Sequence, residues 1–381
     1  MREKIKKGLL VLLLCLLLLP YLQHRLQLLD DGKFDGYYPI SKDIYISLAS
    51  WFDGTYATGI NTYYNDHIGF FPYLVRVNSQ IDYSLFQKLD YGGTTLGDNN
   101  YLFYSAYLDA YYGRDFVGYQ QPLARMTKLK RLQDTLERMG KTVVLVYAPC
   151  KAWYCSEYIP ALFRGEKGAN NYLTAKRIGD SLGIHQIDFN AWFLQLKQTT
   201  KEPLYSRQGI HWTNYGSLLG ADSLVRYIEQ ARHIRMAHPR WDEVVHTTVP
   251  RVPDNDMSAI LNLLFPVTKD TFCYPVVHYR GDSGTAKPRC IYIGDSYFIN
   301  FIHMGVPQAV NSDWQFWFYF KSILNNGHQT DDGTSAKVAD ADWRKEVQQT
   351  DCIVLMYTPA TCTGMGNGFI EALYASYFPG K

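Results

Sequence analysis

The sequence predicts an α/β fold: three layers, with a parallel sheet covered by helices on both faces, preceded by an N-terminal transmembrane helix and a helical connecting region. Three observations predict it. Lys141–Tyr147, Ile291–Ile293 and Asp351–Tyr357 are short apolar runs with little alternation, the pattern of strands buried on both faces. Amphipathic helical stretches alternate with them, as crossover connections in a parallel sheet require. A leucine-rich stretch with no charge stands at the N-terminus behind a basic cluster. With 47% hydrophobic and 19% charged residues the chain has the composition of a folded protein, long enough to bury a core without staples.

Arg2, Lys4, Lys6 and Lys7 precede the uncharged run from Gly8 to His24, and Arg25 is followed by Asp30 and Asp31. As a helix that run spans roughly 26 Å, close to a ~30 Å hydrocarbon core. The charge asymmetry leaves the N-terminus in the cytoplasm and sends the rest across. A cleaved signal peptide is the rival reading, but Pro20-Tyr21-Leu22-Gln23 is too bulky for a small-x-small cleavage site. Residues 1–25 are therefore expected to be a signal-anchor. The body of the protein would lie on the periplasmic side of the cytoplasmic membrane. Residues 26–95 have no strand alternation. Leu74, Val75, Val77 and Ile81 recur at helical spacing, so the stretch reads as helical connecting structure.

The main domain is expected over residues 96–381. Leu123, Met126, Leu129, Leu132 and Leu136 form the apolar stripe of a helix from about Gln121 to Arg138, and Gly140 ends it. The buried strand Lys141–Tyr147 follows. A short strand at His185–Asp188 leads into a helix through Leu196. Another helix runs from Tyr215 to Gln230, and the strands Ile291–Ile293 and Asp351–Tyr357 complete the pattern. In such sheets function gathers at the carboxyl ends of the strands.

Net charge is +2 and no basic stripe runs along any predicted helix, which excludes nucleic acid as the partner. Aromatic residues make up 15%, with 31 tyrosines, a supply of flat faces that pack on sugar rings as well as on each other. No CxxC or HExxH motif occurs, so neither a metal nor another cofactor is expected. Cys15 lies inside the anchor. The other six cysteines would face an oxidising compartment, where at least one disulfide is expected, with Cys150 and Cys155 the local pair.

Two segments can carry chemistry. In Ile293-Gly294-Asp295-Ser296-Tyr297 a serine follows a glycine where a buried strand ends, which exposes its hydroxyl near backbone N–H donors. In Gln208-Gly209-Ile210-His211-Trp212-Thr213 a histidine sits in a polar loop, with Thr213 placed to cap the next helix. A serine hydroxyl needs an imidazole base within hydrogen-bond reach, so Ser296 is the candidate nucleophile and His211 the candidate base. Trp212, Tyr297, Trp314 and Trp317 are the aromatic side chains that could stack on sugar and exclude water, with core packing as the alternative for Trp314 and Trp317.

Taken in order, these segments resemble the AlgX/AlgJ group of alginate O-acetyltransferases, which have an SGNH hydrolase-like domain. That group carries an Asp-x-His-Trp segment and later a Gly-Asp-Ser segment. Gly209-Ile210-His211-Trp212 and Gly294-Asp295-Ser296 occupy those places. Leu102-Phe103-Tyr104 with Tyr107–Tyr111 resembles the domain's opening segment. Ala148-Pro149-Cys150-Lys151 through Pro160 resembles its strand-end Pro-x-Lys and the loop after it. The resemblance covers roughly residues 96–375. It implies an SGNH-like sheet and a membrane-anchored O-acetyltransferase that moves an acetyl group to an exported polysaccharide through an acyl-serine. It also implies a multispanning membrane O-acyltransferase partner that supplies acyl groups, and substrate contacts that include Lys151, Trp212 and Tyr297. An esterase or deacetylase, or a non-catalytic sugar-binding scaffold, would share the fold.

One position departs from that pattern. The aspartate two residues before the histidine is Gly209 here, and upstream the nearest acidic residue is Glu202. A triad acid orients the imidazole and stabilises its protonated form. Three readings follow: a distant carboxylate such as Asp188 replaces it, a backbone carbonyl holds the ring in a Ser–His dyad, or the domain is a degenerate binding relative.

Overall fold

A computed structural model describes residues 2–30, 32–36, 41, 44–89, 92–281, 284–325 and 336–380. The chain divides into two compact units, Met1–Gly92 with Met257–Val267, and Gly93–Asp256 with Thr268–Lys381. The excursion of residues 257–267 into the first unit is one that no single linear boundary anticipates.

The first unit is helical. Helix α1 (Arg2–Leu26) includes the 24 residues Glu3–Leu26, long and apolar enough to cross a membrane. Helices α2 (Leu48–Phe52), α3 (Thr55–His67) and α4 (Phe71–Phe86) follow.

The second unit is the α/β body. Its strands in chain order are β1 (Thr94–Leu96), β2 (Leu102–Tyr104), β3 (Thr142–Tyr147), β4 (Gln186–Asp188), β5 (His238–Thr247) and β6 (Phe272–Arg280), then β7 (Cys290–Gly294), β8 (Trp314–Phe318), β9 (Ser322–Leu324), β10 (Ala336–Lys337) and β11 (Cys352–Tyr357). Seven of them form one sheet in the order β10-β9-β8-β7-β11-β3-β4. The five strands from β8 to β4 run parallel, and β9 and β10 add an antiparallel edge. The ribbons β1–β2 and β5–β6 stand outside it.

Every residue of β3, β7 and β11 is buried, and the pleat sends alternate side chains to opposite cores. Val144, Val146, Tyr292, Phe316, Val354 and Met356 pack with helices Phe189–Leu196 and Asn214–Arg232 on one face. On the other, Val143, Leu145, Ile291, Ile293, Trp317, Ile353 and Leu355 pack with helices Gln120–Arg138, Asn171–Leu182 and Phe369–Tyr377. This is the predicted three-layer α/β arrangement. Several strands escaped prediction, among them β8 and the β5–β6 ribbon. Strand β8, Trp-Gln-Phe-Trp-Phe, is aromatic rather than aliphatic, and Trp314 and Trp317 are both core residues. The β5–β6 ribbon alternates polar and apolar residues too irregularly to read, with a register shift between Trp241 and Val244.

All seven cysteines are free thiols, which corrects the expected disulfide. Cys150 and Cys155 bracket the short helix Lys151–Tyr154. Five residues of helical rise separate such ends by roughly 7.5 Å, more than the Cα span a disulfide tolerates.

Candidate active site

The turns after β3, β7 and β11 meet at the carboxyl edge of the sheet. Strand β7 passes so close to β11 that a Cβ on Gly294 would stand 2.1 Å from the Met356 carbonyl oxygen. The chain then turns sharply at Asp295. Its buried carboxylate accepts hydrogen bonds from the Tyr297 N–H (3.1 Å), the Thr358 N–H (2.8 Å) and the Thr361 hydroxyl (2.6 Å). Asp295 therefore staples the turn after β7 to the loop after β11 and puts Ser296, half-buried, at the start of the helical turn Ser296–Phe298.

His211 arrives from the loop ahead of helix Asn214–Arg232, which Thr213 caps by accepting from the Gly216 N–H at 3.0 Å. Its Nε2 lies 2.7 Å from Ser296 Oγ. Its Nδ1 is hydrogen-bonded to Asp256 Oδ2, and Asp256 Oδ1 accepts from the Ile210 N–H at 2.8 Å. With the aspartate ionised, Nδ1–H donates to it and Nε2 is left to accept from the serine hydroxyl. Serine, imidazole and carboxylate thus form one continuous line.

The carboxylate on the His211 ring is that of Asp256, not of a residue at position 209. It lies 45 residues downstream of the histidine. Asp188, the distant acid suggested by sequence, is occupied elsewhere: both its oxygens accept from the Tyr172 hydroxyl at 2.7–2.8 Å, and Oδ1 accepts from the Ala191 N–H. No backbone carbonyl holds the ring in its place. The glycine itself has a steric reason. A Cβ at position 209 would sit 2.8 Å from the Pro253 carbonyl oxygen and 2.9 Å from that of Asp254, in the turn that presents Asp256. The sequence signal for Asp256 was faint, a polar turn Pro253-Asp254-Asn255-Asp256 with two acidic candidates and nothing to relate it to His211.

The three residues expected to touch substrate, Lys151, Trp212 and Tyr297, are all buried. Lys151 Nζ donates to the carbonyls of Gly209 (2.6 Å) and Arg207 (2.9 Å), pinning the histidine loop from below. Burial pulls its ammonium down to about 8, against the opposing pull of Cys155, Asp256 and Asp270. The Tyr297 hydroxyl donates to the Ile210 carbonyl at 2.7 Å, and Trp212 Nε1 donates to the Tyr297 carbonyl at 3.3 Å. Asn300 Nδ2 donates to the Trp212 carbonyl at 3.1 Å. The Trp212 ring packs on Phe301, with centroids 5.2 Å apart. The histidine and serine segments are cross-tied by buried polar contacts, and their aromatic side chains are the ties.

Residues 95–264 match the family described as SGNH hydrolase-like domain, acetyltransferase AlgX. That span holds His211 and Asp256 and stops short of Ser296. Among solved structures, the chain is similar to the O-acetyltransferase domain of Pseudomonas putida AlgJ, at 15% identity over 75% of this chain and 100% of that one, with a TM-score of 0.48. It is also similar to Pseudomonas aeruginosa AlgX, at 13% identity over 73% of this chain and 66% of that one, with a TM-score of 0.44. Bacillus cereus PatB1 matches at 12% identity over 70% and 95%, with a TM-score of 0.42. No curated protein matches the chain in sequence.

Proposed function

We propose that the chain is an O-acetyltransferase that works through an acyl-serine and acts on an exported cell-surface polysaccharide. The observation that carries this reading is the line from Ser296 through His211 to Asp256, with hydrogen-bond contact at each step. Ser296 Oγ attacks the carbonyl carbon of an acyl donor while His211 Nε2 takes its proton. Asp256 balances the charge that the imidazolium gains. As the first residue of a helical turn, Ser296 has a backbone N–H with no intrahelical acceptor, a donor for the tetrahedral oxyanion. Collapse of that intermediate expels the donor's leaving group with the proton held by His211 and leaves acyl-Ser296. A sugar hydroxyl then attacks the acyl carbon and gives its proton to His211. The ester passes to the sugar, and the proton returns to Ser296.

The matched family and the intact relay favour an enzyme over a non-catalytic scaffold. With water in place of sugar the same cycle would be an esterase. The acceptor decides, so the test is a product assay. The full-length protein is given an activated acetyl ester, with and without an oligosaccharide acceptor. Acetylated sugar, a Ser296 peptide heavier by one acetyl group, and loss of both in Ser296→Ala support the transferase. Free acetate as the sole product in the presence of acceptor overturns it in favour of hydrolysis.

We place the protein on the outer face of the cytoplasmic membrane, held by α1, with a multispanning membrane acyltransferase as its acyl source. The apolar length of α1 and the basic residues before it support the anchor. If the anchor reading holds, the protein stays in the membrane fraction after carbonate washing.

A further inference from the structure

In the N-terminal unit, helices α2 to α4 bury almost nothing of themselves. Helices α2 and α3 bury no side chain, and α4 buries only Pro72. Helices this short are marginal in water and persist by burying a face. Here the apolar faces point outward. Leu74, Val77, Ile81 and Leu85 recur along one side of α4 and are 43–70% exposed. Trp51 and Phe52 on α2 are 59% and 82% exposed, and Leu48 is 81% exposed. A water-facing surface seldom carries this many large apolar side chains.

The turn between α3 and α4 fixes the level at which these faces stand. The Gly69 N–H donates to the Pro20 carbonyl of α1 at 3.1 Å, and a Cβ at Gly69 would lie 2.5 Å from that oxygen. Gln23, buried on the same stretch of α1, exchanges hydrogen bonds with the Leu29 backbone. The turn therefore packs on residues 20–24, the outward end of the apolar run, where a spanning helix meets the headgroups. Charge does not supply the attraction, because residues 26–92 contain four basic and eight acidic side chains. What the unit offers is aliphatic and aromatic surface of the kind found at a membrane–water boundary.

We propose that the N-terminal unit lies on the lipid bilayer that α1 crosses, with Trp51, Phe52 and the Leu74–Leu85 face of α4 seated at the boundary between headgroups and acyl chains. This rests on the reading of α1 as an uncleaved anchor. The occupant is lipid, held by apolar contact, so anionic headgroups are not required and added salt does not release it.

Full-length protein in phosphatidylcholine nanodiscs, with bromine placed either near the acyl carbonyls or at the chain ends, tests the proposal through tryptophan fluorescence. The difference between the native chain and Trp51→Phe isolates the Trp51 signal. The expected result is strong quenching of that signal by shallow bromines, weaker quenching by deep ones, and protection from aqueous acrylamide, all unchanged at high salt. A chain that co-purifies with the discs but shows Trp51 unquenched overturns the proposal. In that case acrylamide access would mean a bare surface, and protection would mean that another protein copy covers it. A chain that leaves the discs altogether removes the anchor reading, and the proposal with it.

Discussion

Gly209 and Asp256 are two halves of one arrangement. A side chain at 209 would press on the Pro253 and Asp254 carbonyls that shape the turn carrying the acid. Asp256→Asn keeps that shape but can no longer hold the productive imidazole tautomer. The expected loss in kcat is on the order of 10⁴, as for the matching change in a serine-protease triad, with the fold and KM little altered. A variant with near-native kcat would remove Asp256 from the relay. Gly209→Asp restores the family spelling two residues before His211, yet it should lower activity, because the new side chain meets backbone and its charge faces Asp256. A gain in turnover would mean that the turn yields and the acid can return to its usual place. Asp254, two residues before Asp256, poses a separate question. Its carboxyl is buried, and neither oxygen completes a hydrogen bond. Burial raises its pKa from 3.8 to about 7, the charge of Asp256 adds to the rise, and Tyr274 and Asn214 lie close enough only to ease it. A raised folded pKa means that stability is fullest below the ordinary value and falls as pH climbs to about 7. Asp254→Asn removes that penalty. Its gain in Tm should be least near pH 4, grow up to pH 7 and then level off, and a gain independent of pH would contradict the assignment.

At the scale of elements, the site depends on how closely two strands approach. β7 and β11 pair in parallel from Cys290↔Cys352 to Gly294↔Met356, and the last pair leaves no room for a methyl group. Gly294→Ala must push the strands apart just where Asp295 ties them together. Overpacking of this kind costs about 1–3 kcal/mol, or several degrees in Tm, and should lower acyl transfer as Ser296 moves. An unchanged melting curve would show that the sheet absorbs the methyl group. The elements themselves were largely readable. The helix at Gln120–Arg138 and the strands β3, β7 and β11 announce themselves through periodicity and apolar runs, which are properties of neighbouring residues. β8 was missed because an aromatic side chain such as Trp317 looks the same in sequence whether it stacks on a ligand or on Phe320 and Phe369.

For the molecule as a whole, the thiols provide a check on the core. All seven cysteines are free, and the six outside α1 are buried. Unfolding the unreduced protein in denaturant should expose seven titratable thiols, and a count of five or fewer would mean that at least one bridge forms. The sequence alone determined the layered α/β class, the apolar helix at the N-terminus and the two segments that carry serine and histidine, because each is written in local spacing and turn chemistry. Only the tertiary structure decided which carboxylate meets the His211 ring, that Lys151, Trp212 and Tyr297 tie the histidine and serine segments together, and that the α4 stripe faces outward. Those outcomes depend on which segments the closed fold brings together across dozens of residues, and on the space left between their backbones. Neither is encoded in the order of neighbours along the chain.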